Sequence, residues 1–462
     1  MFSAETYSNR RLKLSQSLTG GIVLLLGNTD LPMNYPGNTY RFRQDSSFLY
    51  FFGIDLQNLC GVIDIDSKEE ILFGDDIDIE DIVWMGPQES IANKAAKAGI
   101  KINKPYSELS GYITKAIAAG RKVHFLPPYR AENKILLSEL TNIPIKDLKA
   151  NASVELIKGV VALREIKEDV EIAEIEKACV TGYKMHIASM VMCKPGKYEH
   201  DLAGVVEGIA LGADGQISFP VILSQNGETL HNHDHSKILE EGRLMITDAG
   251  AETAMHYASD YTRTVPVSGK FSPKQKGIYD IVVAANDKAT SMAKPDIMYK
   301  EVHLAVCEVI AEGLKELGLM KGNVQDAVAA GAHGLFFVHG LGHAMGLDVH
   351  DMEDIGENYV GYDETVSRSD QFGLAYLRMA KKLRPGMVIT NEPGIYFIPV
   401  LIDQWQKENL NAEFINYDKV REYIGFGGIR LEDDILITED GCRILGKRLP
   451  IYAEEIEGIM AK

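Results

Sequence analysis

No apolar stretch in this sequence approaches the ~20 residues that a helix needs to cross a bilayer, so a membrane-embedded chain is not expected. Basic residues are also scarce: 48 Lys and Arg stand against 66 Asp and Glu, for a formal charge of −18. Nucleic acid and anionic membrane both demand a basic face, so neither is an expected partner. Cysteine pairs are missing too. The five cysteines, Cys60, Cys179, Cys193, Cys307 and Cys442, lie far apart and include no C-x-x-C pair. They read as reduced core residues of a cytoplasmic protein. Basic residues precede an apolar run near the N-terminus, but residues 21–27 are too short for a signal sequence and no small-residue cleavage site follows. A buried strand is the better reading. No short-period repeat or low-complexity segment stands out.

What is present is the composition of a globular protein, 45% hydrophobic and 25% charged, over 462 residues. That length exceeds one ordinary core, so two domains are expected, residues 1–160 and 161–462. In the first, short apolar runs at 22–26, 61–65, 71–73 and 123–126 read as strands, and 90–98 and 106–119 as amphipathic helices. This predicts an α/β domain without a catalytic constellation. Its most distinctive stretch, 41–52 (RFRQDSSFLYFF), reads by spacing alone as an aromatic-rich core strand. In the second domain, helical periodicity covers 163–192, 274–292 and 299–317, with a shorter helix expected at 374–383. Strand-like runs at 219–223, 243–247, 257–267, 387–390, 395–398 and 429–437 lie between them. Helices interleaved with hairpins predict an α+β domain with a mainly antiparallel sheet.

The chemistry concentrates in this second domain. An apolar run leads into Asp248, and a second strand carries Asp260; a hairpin turning about Ala254 would set the two directly opposite, with Cβ atoms ~5 Å apart. His339, His343 and His350 follow among Gly340, Gly342 and Gly346. Imidazole is a common metal ligand, and glycine permits close backbone approach. No Glu follows the first His, so this is not the helical zinc-protease pattern. Glu392 follows an apolar run and precedes Pro393-Gly394, while Arg430 and Glu432 share one strand face with Asp433 on the other. Each acid taken singly also fits a turn or an exposed strand end. Together, clustered carboxylates cannot all stay ionised without a compensating cation, and two divalent ions balance the four acids. Oxygen donors with one imidazole suit manganese, cobalt or iron, and a two-metal centre activates water for hydrolysis.

Asp248-Ala249-Gly250, Ser259-Asp260-Tyr261-Thr262-Arg263-Thr264, His339-Gly340-Leu341-Gly342-His343, Thr390-Asn391-Glu392-Pro393-Gly394 and Gly428-Ile429-Arg430-Leu431-Glu432-Asp433 together resemble the pita-bread metallopeptidases. Within that family the chain looks like the proline-specific branch, aminopeptidase P and prolidase, and residues 41–52 look like that branch's N-terminal domain. The resemblance implies an aminopeptidase P-like N-terminal domain before a pita-bread catalytic domain. It implies two divalent ions, most often manganese, with cobalt, iron or zinc as alternatives, held by Asp248, Asp260, His343, Glu392 and Glu432. Asp260 and Glu432 would bridge, and Glu392 would also assist proton transfer. His231 looks like the substrate-side histidine, while His339 and His350 look like the pair that contacts substrate and steadies the tetrahedral intermediate. Arg430 and Thr262 resemble residues that support the ligands. A peptide with proline in second position and a homodimer or larger oligomer are also implied. Two departures stand out: the Asp248–Asp260 interval is one residue longer than usual, and Asn391 replaces a small aliphatic. His233 and His235 match nothing in the pattern and read as a solvated loop.

Arg378 bears on substrate length. It looks like the arginine with which prolidases grip a dipeptide's free carboxylate, although an arginine exposed on a basic helix face reads the same way. Residues 260–271 read more like aminopeptidase P, so an Xaa-Pro aminopeptidase is expected, with an Xaa-Pro dipeptidase as the alternative. A metal-free pita-bread binding protein and a metal-free amidinohydrolase are disfavoured by the complete ligand set. A two-metal phosphoesterase is disfavoured by the order of the motifs.

Overall fold

A computed structural model describes residues 1–462. The chain divides into two compact units: residues 1–164 with 352–359, and residues 165–351 with 360–462.

In the first unit, Ile22–Leu26 is apolar at every position, which suits only a strand covered on both faces. All of it is buried. It pairs antiparallel with Cys60–Asp64 and parallel with Val123–His124; Glu69–Phe73 and Ile102–Lys104 extend the sheet beyond Cys60–Asp64. Leu109, Ile113 and Ala116 of the helix Leu109–Ala118 pack on Ile22, Val62 and Phe73 to form the core. This is the expected α/β arrangement.

The stretch expected as an aromatic strand is instead a helix, Ser46–Phe52, buried along its whole length. Asp45 caps its N-terminus and Gly53, at φ 66°, ends it. Two buried arginines of the helix Ala4–Gln16 settle the matter: Arg10 donates to Tyr50 O at 3.1 Å and Arg11 to Phe51 O at 2.8 Å. These are carbonyls that a helix end leaves unpaired. The Arg10 guanidinium also lies 3.9 Å from the Tyr50 ring centroid. A segment apolar on all sides has no period to distinguish helix from strand, so only its partners could decide.

In the second unit, the helix expected at 163–192 is two: Val154–Arg164 closes the first unit, and Asp169–Met192 opens the second behind a Glu168/Glu171 capping box. Residues 374–383 form turns rather than the expected helix. Their backbone bonds go outward instead, Ala380 and Lys381 donating to Gly361 O at 2.8 and 2.9 Å, and Tyr362 Oη donating to Leu377 O at 2.6 Å.

The strands are short and change partner often. Leu244–Asp248 lies between Ile222–Ser224 and Thr262–Pro266; Asp433–Ile437 lies between Val388–Asn391 and Cys442–Ile444; Gly394–Tyr396 pairs with Gly428–Arg430. All these pairings are antiparallel. The run 429–437 is therefore broken at Leu431-Glu432, where a single bridge joins Glu432 to Thr262. The helices Pro273–Met292 and Tyr299–Glu316 pack together, as do Asp169–Met192 and Glu199–Gly212.

Candidate metal centre

Each candidate carboxylate stands where a β ladder stops or changes partner. Asp248 ends its strand and Asp260 precedes the next; Glu392 lies between Val388–Asn391 and Gly394–Tyr396, and Glu432 between Gly428–Arg430 and Asp433–Ile437. At such joints the backbone turns out of the pleat, so acids from separate strands can converge. The ladder pairs Asp248 with Thr262, however, not with Asp260 as expected. The hairpin centres on Met255 rather than Ala254: Glu252 bridges Ala258, Thr253 N–H donates to Tyr257 O at 3.0 Å, and His256 takes φ 67°. Moving a hairpin's centre by one residue moves every cross-strand partner by two.

One cleft of about 700 Å³ brings the acids together. Asp248, Asp260, His343, Glu392 and Glu432 line it, with His231, His339, His350, Arg378 and Arg430. Phe219, Val349, Tyr376 and Ile398 supply apolar wall. His233, expected in a solvated loop, is exposed yet also lines the cleft, while His235 turns its Nδ1 to Leu223 O at 2.9 Å. His231 is exposed at the cleft mouth, and partial loss of solvent around its ring, followed by the Arg430 charge, lowers its pKa.

The donor set fits a cation on three observations. Ligand atoms of Asp260, His343 and Glu432 all lie within 4.8 Å of one another. Asp248 Oδ1 and Asp260 Oδ1 are buried without a hydrogen-bond partner, a costly state for carboxylate oxygens. His343 Nδ1 is 3.1 Å from Ala344 O, which makes Nδ1 the donor and leaves the Nε2 lone pair facing Asp260 Oδ2 at 3.5 Å and Glu392 Oε1 at 3.6 Å. Acceptors aimed at acceptors repel unless a positive charge sits between them. Burial, and then the neighbouring acids, raise the carboxyl pKa of Asp260 and Glu432; burial also raises that of Glu392. A protein that kept these groups for their own sake would be poorly built, whereas divalent cations reverse the penalty.

The supporting shell is dense. Arg430 donates to Asp248 Oδ2 through Nη2 at 2.5 Å, to Thr262 Oγ1 through Nε at 3.1 Å and to Tyr396 Oη through Nη1 at 2.8 Å. Thr262 Oγ1 donates to Glu432 Oε2 at 2.6 Å. His339 Nδ1 donates to Gly340 O at 2.8 Å, so its Nε2 accepts from Tyr396 Oη at 2.8 Å. Burial, then the Arg430 charge, brings the His339 pKa down to about 3, so the ring is neutral. Tyr396, Thr390 and Asp434 were not singled out by the sequence. Thr390 Oγ1 accepts from His343 N–H at 3.1 Å, and Asp434 accepts from Asp260 N–H at 3.0 Å. Hydroxyls and acids that bond to ligands carry no spacing signal of their own. Asn391 has a structural reason: its amide donates to Asn286 O at 3.0 Å and Thr290 Oγ1 at 3.1 Å.

Known proteins resemble this chain along nearly its whole length. The family model for metallopeptidase family M24 matches residues 173–439, and that for the aminopeptidase P N-terminal domain matches residues 7–124. A human Xaa-Pro dipeptidase is 29% identical over 463 aligned residues, covering 98% of this chain and 91% of its own. A probable Xaa-Pro aminopeptidase of Botryotinia fuckeliana is 33% identical, covering 87% and 83%. The structure of a glutamate-to-alanine variant of Escherichia coli aminopeptidase P in complex with substrate superposes with a TM-score of 0.80 at 28% identity, covering 100% of this chain and 98% of that one. The chain belongs to metallopeptidase family M24, with an aminopeptidase P N-terminal domain ahead of the pita-bread catalytic domain.

Proposed function

We propose that this chain is a dinuclear exopeptidase that removes the N-terminal residue of peptides with proline in second position. The observation that carries the reading is the His343 lone pair turned onto carboxylate oxygens in a cleft with apolar walls. The names of its relatives, Xaa-Pro aminopeptidases and Xaa-Pro dipeptidases, support proline as the second residue. In this reading Asp248, Asp260, His343, Glu392 and Glu432 would hold two divalent ions, manganese by charge and donor type, which would supply Lewis-acid activation of water and of the scissile carbonyl.

The chain's own residues do the rest. Glu392 takes a proton from the attacking water and returns it to the proline nitrogen as the bond breaks. Arg430 and Thr262 hold the carboxylates of Asp248 and Glu432 in place. His339, kept neutral and fixed by Tyr396, stands beside Glu392, with Nδ1 3.6 Å from Oε2. His231 and His350 orient the peptide and donate to the oxygen that gains charge in the transition state. The apolar wall receives the proline ring and excludes water.

Arg378 supports a second reading, an Xaa-Pro dipeptidase, because a guanidinium in the cleft suits a free carboxylate. Hydrolysis of Gly-Pro and of a Gly-Pro-Xaa tripeptide by the manganese-loaded protein tests both. Faster cleavage of the tripeptide is expected. Cleavage of the dipeptide alone selects the second reading, and cleavage of neither ends the proline assignment.

A further inference from the structure

Away from the cleft ligands, the second unit buries another set of donors. His303 and Cys307 are one helical turn apart on Tyr299–Glu316, so both side chains point to the same face. His333, in the short turn Ala332–Leu335, meets them there. All three side chains are fully buried, and their ligand atoms lie within 4.8 Å of one another. Cys307 Sγ lies 3.5 Å from His303 Nε2. A tetrahedral ion with metal–sulfur and metal–nitrogen bonds of ~2.3 and ~2.0 Å separates its sulfur and nitrogen donors by about 3.5 Å.

That spacing also suits a thiol hydrogen bond to imidazole, but such a bond leaves the rest of the cluster unexplained. Neither nitrogen of His333 has a hydrogen-bond partner, nor does His303 Nδ1. A buried imidazole with neither nitrogen partnered is costly, and the second ring and the thiol beside it complete a donor set for a shared ligand. Burial lowers the pKa of both histidines and raises that of the thiol, so the free cluster is neutral and its nitrogens keep lone pairs to offer.

We propose that His303, Cys307 and His333 form a structural site for one thiophilic closed-shell cation, copper(I) or zinc, separate from the catalytic centre. One thiolate and two imidazoles are a donor set that selects such ions over manganese or magnesium. Binding exchanges the Cys307 thiol proton for the metal and releases that proton to solvent. Copper(I) with thiolate is neutral, whereas zinc leaves a net positive charge, so burial favours the monovalent ion. The site joins the Tyr299–Glu316 helix to the segment that leads to His339. The Phe337 ring lies between the two regions, 5.3 Å from the His303 ring and 4.9 Å from the His339 ring between centroids. The site therefore stiffens the wall behind His339 without touching substrate.

The inference does not depend on the peptidase reading, and its test does not use activity. The full-length protein is stripped of metal and reloaded with cobalt(II). A thiolate-to-cobalt charge-transfer band is expected in the near ultraviolet, because the catalytic ligands contain no sulfur. The band should disappear in Cys307→Ser and persist in Cys442→Ser, while bound metal falls by about one equivalent per chain only in the former. Should Cys307→Ser not fold, His333→Gln keeps the thiol but should lose the tetrahedral spectrum. Titration with copper(I) against a coloured chelator, and with zinc, then identifies the preferred ion. No thiolate band in wild type together with no copper(I) or zinc uptake beyond that of Cys307→Ser would overturn the proposal.

Discussion

Thr262 and Glu432 are joined twice: the threonine hydroxyl donates to Glu432 Oε2 at 2.6 Å, and the Glu432 N–H donates to Thr262 O at 3.0 Å. This pair ties the sheet holding Asp248 to the strand joint that carries Glu432. It fixes a candidate ligand by main chain and side chain together, and Arg430 adds a third hold through the same hydroxyl at 3.1 Å.

Replacing Thr262 with Val keeps the shape and the backbone bridge but removes the hydroxyl. Support of this kind is worth roughly 10–100-fold in metal affinity. Manganese titration by calorimetry should show a loss in that range with an unchanged fold by circular dichroism. Wild-type affinity in Thr262→Val would mean that the backbone bridge alone positions Glu432.

Tyr396 links Arg430 to His339. In Tyr396→Phe the His339 Nε2 loses its donor, and the ring no longer has a single orientation. We expect kcat to fall ~10-fold or more with KM little changed, the pattern of an interaction used in the transition state. A rise in KM at constant kcat would instead assign Tyr396 to substrate binding.

Arg378 separates the two substrate readings. If it grips a free carboxylate, Arg378→Ala should raise KM for Xaa-Pro far more than for Xaa-Pro-Xaa. A lost charge-assisted pair corresponds to roughly 10–100-fold. Equal changes for both substrates remove the length-gauge idea.

In the first unit, burial alone would raise the Asp64 carboxyl, but Arg121, the Ser67 backbone and Tyr112 outweigh it and hold the pKa at about 2. Tyr112 Oη donates at 2.6 Å, and Arg121 pairs with the same carboxylate. The folded value lies below the unfolded value of ~3.9, so this stabilisation is present above about pH 4 and is lost as pH falls towards 2. Arg121→Met should lower stability at neutral pH by about 1–2 kcal/mol and flatten the acid limb. Urea unfolding across that pH range is the measurement; an unaltered acid slope would show that another group governs it.

The candidate donors could be picked out in the sequence because they stand in short, ordered motifs. Asp248, Asp260, His343, Glu392 and Glu432 were named from those motifs, and the structure lines one cleft with them. Two of their supports, Arg430 and Thr262, were named with them, and the others were not legible. Tyr396, Thr390 and Asp434 sit among ordinary strand residues, and only folding brings Thr390 against His343, Asp434 against Asp260, and Tyr396 against Arg430 and His339.

Local pattern settled those elements whose apolar residues repeat with a clear period or fill a strand, such as Pro273–Met292 and Ile22–Leu26. It could not settle Ser46–Phe52, where every side chain is buried and the choice of helix was made by Arg10 and Arg11. Nor could it find the turns at 374–383, whose bonds run to Gly361 and Tyr362, or the hairpin centre one residue beyond Ala254. The Cys307 cluster belongs with these, because His333 reaches it from a separate segment. Residue types determine what chemistry is available and periodicity determines which face is apolar. Which donors meet, and whether a buried polar atom finds a partner, are decided by contacts between segments far apart in the chain.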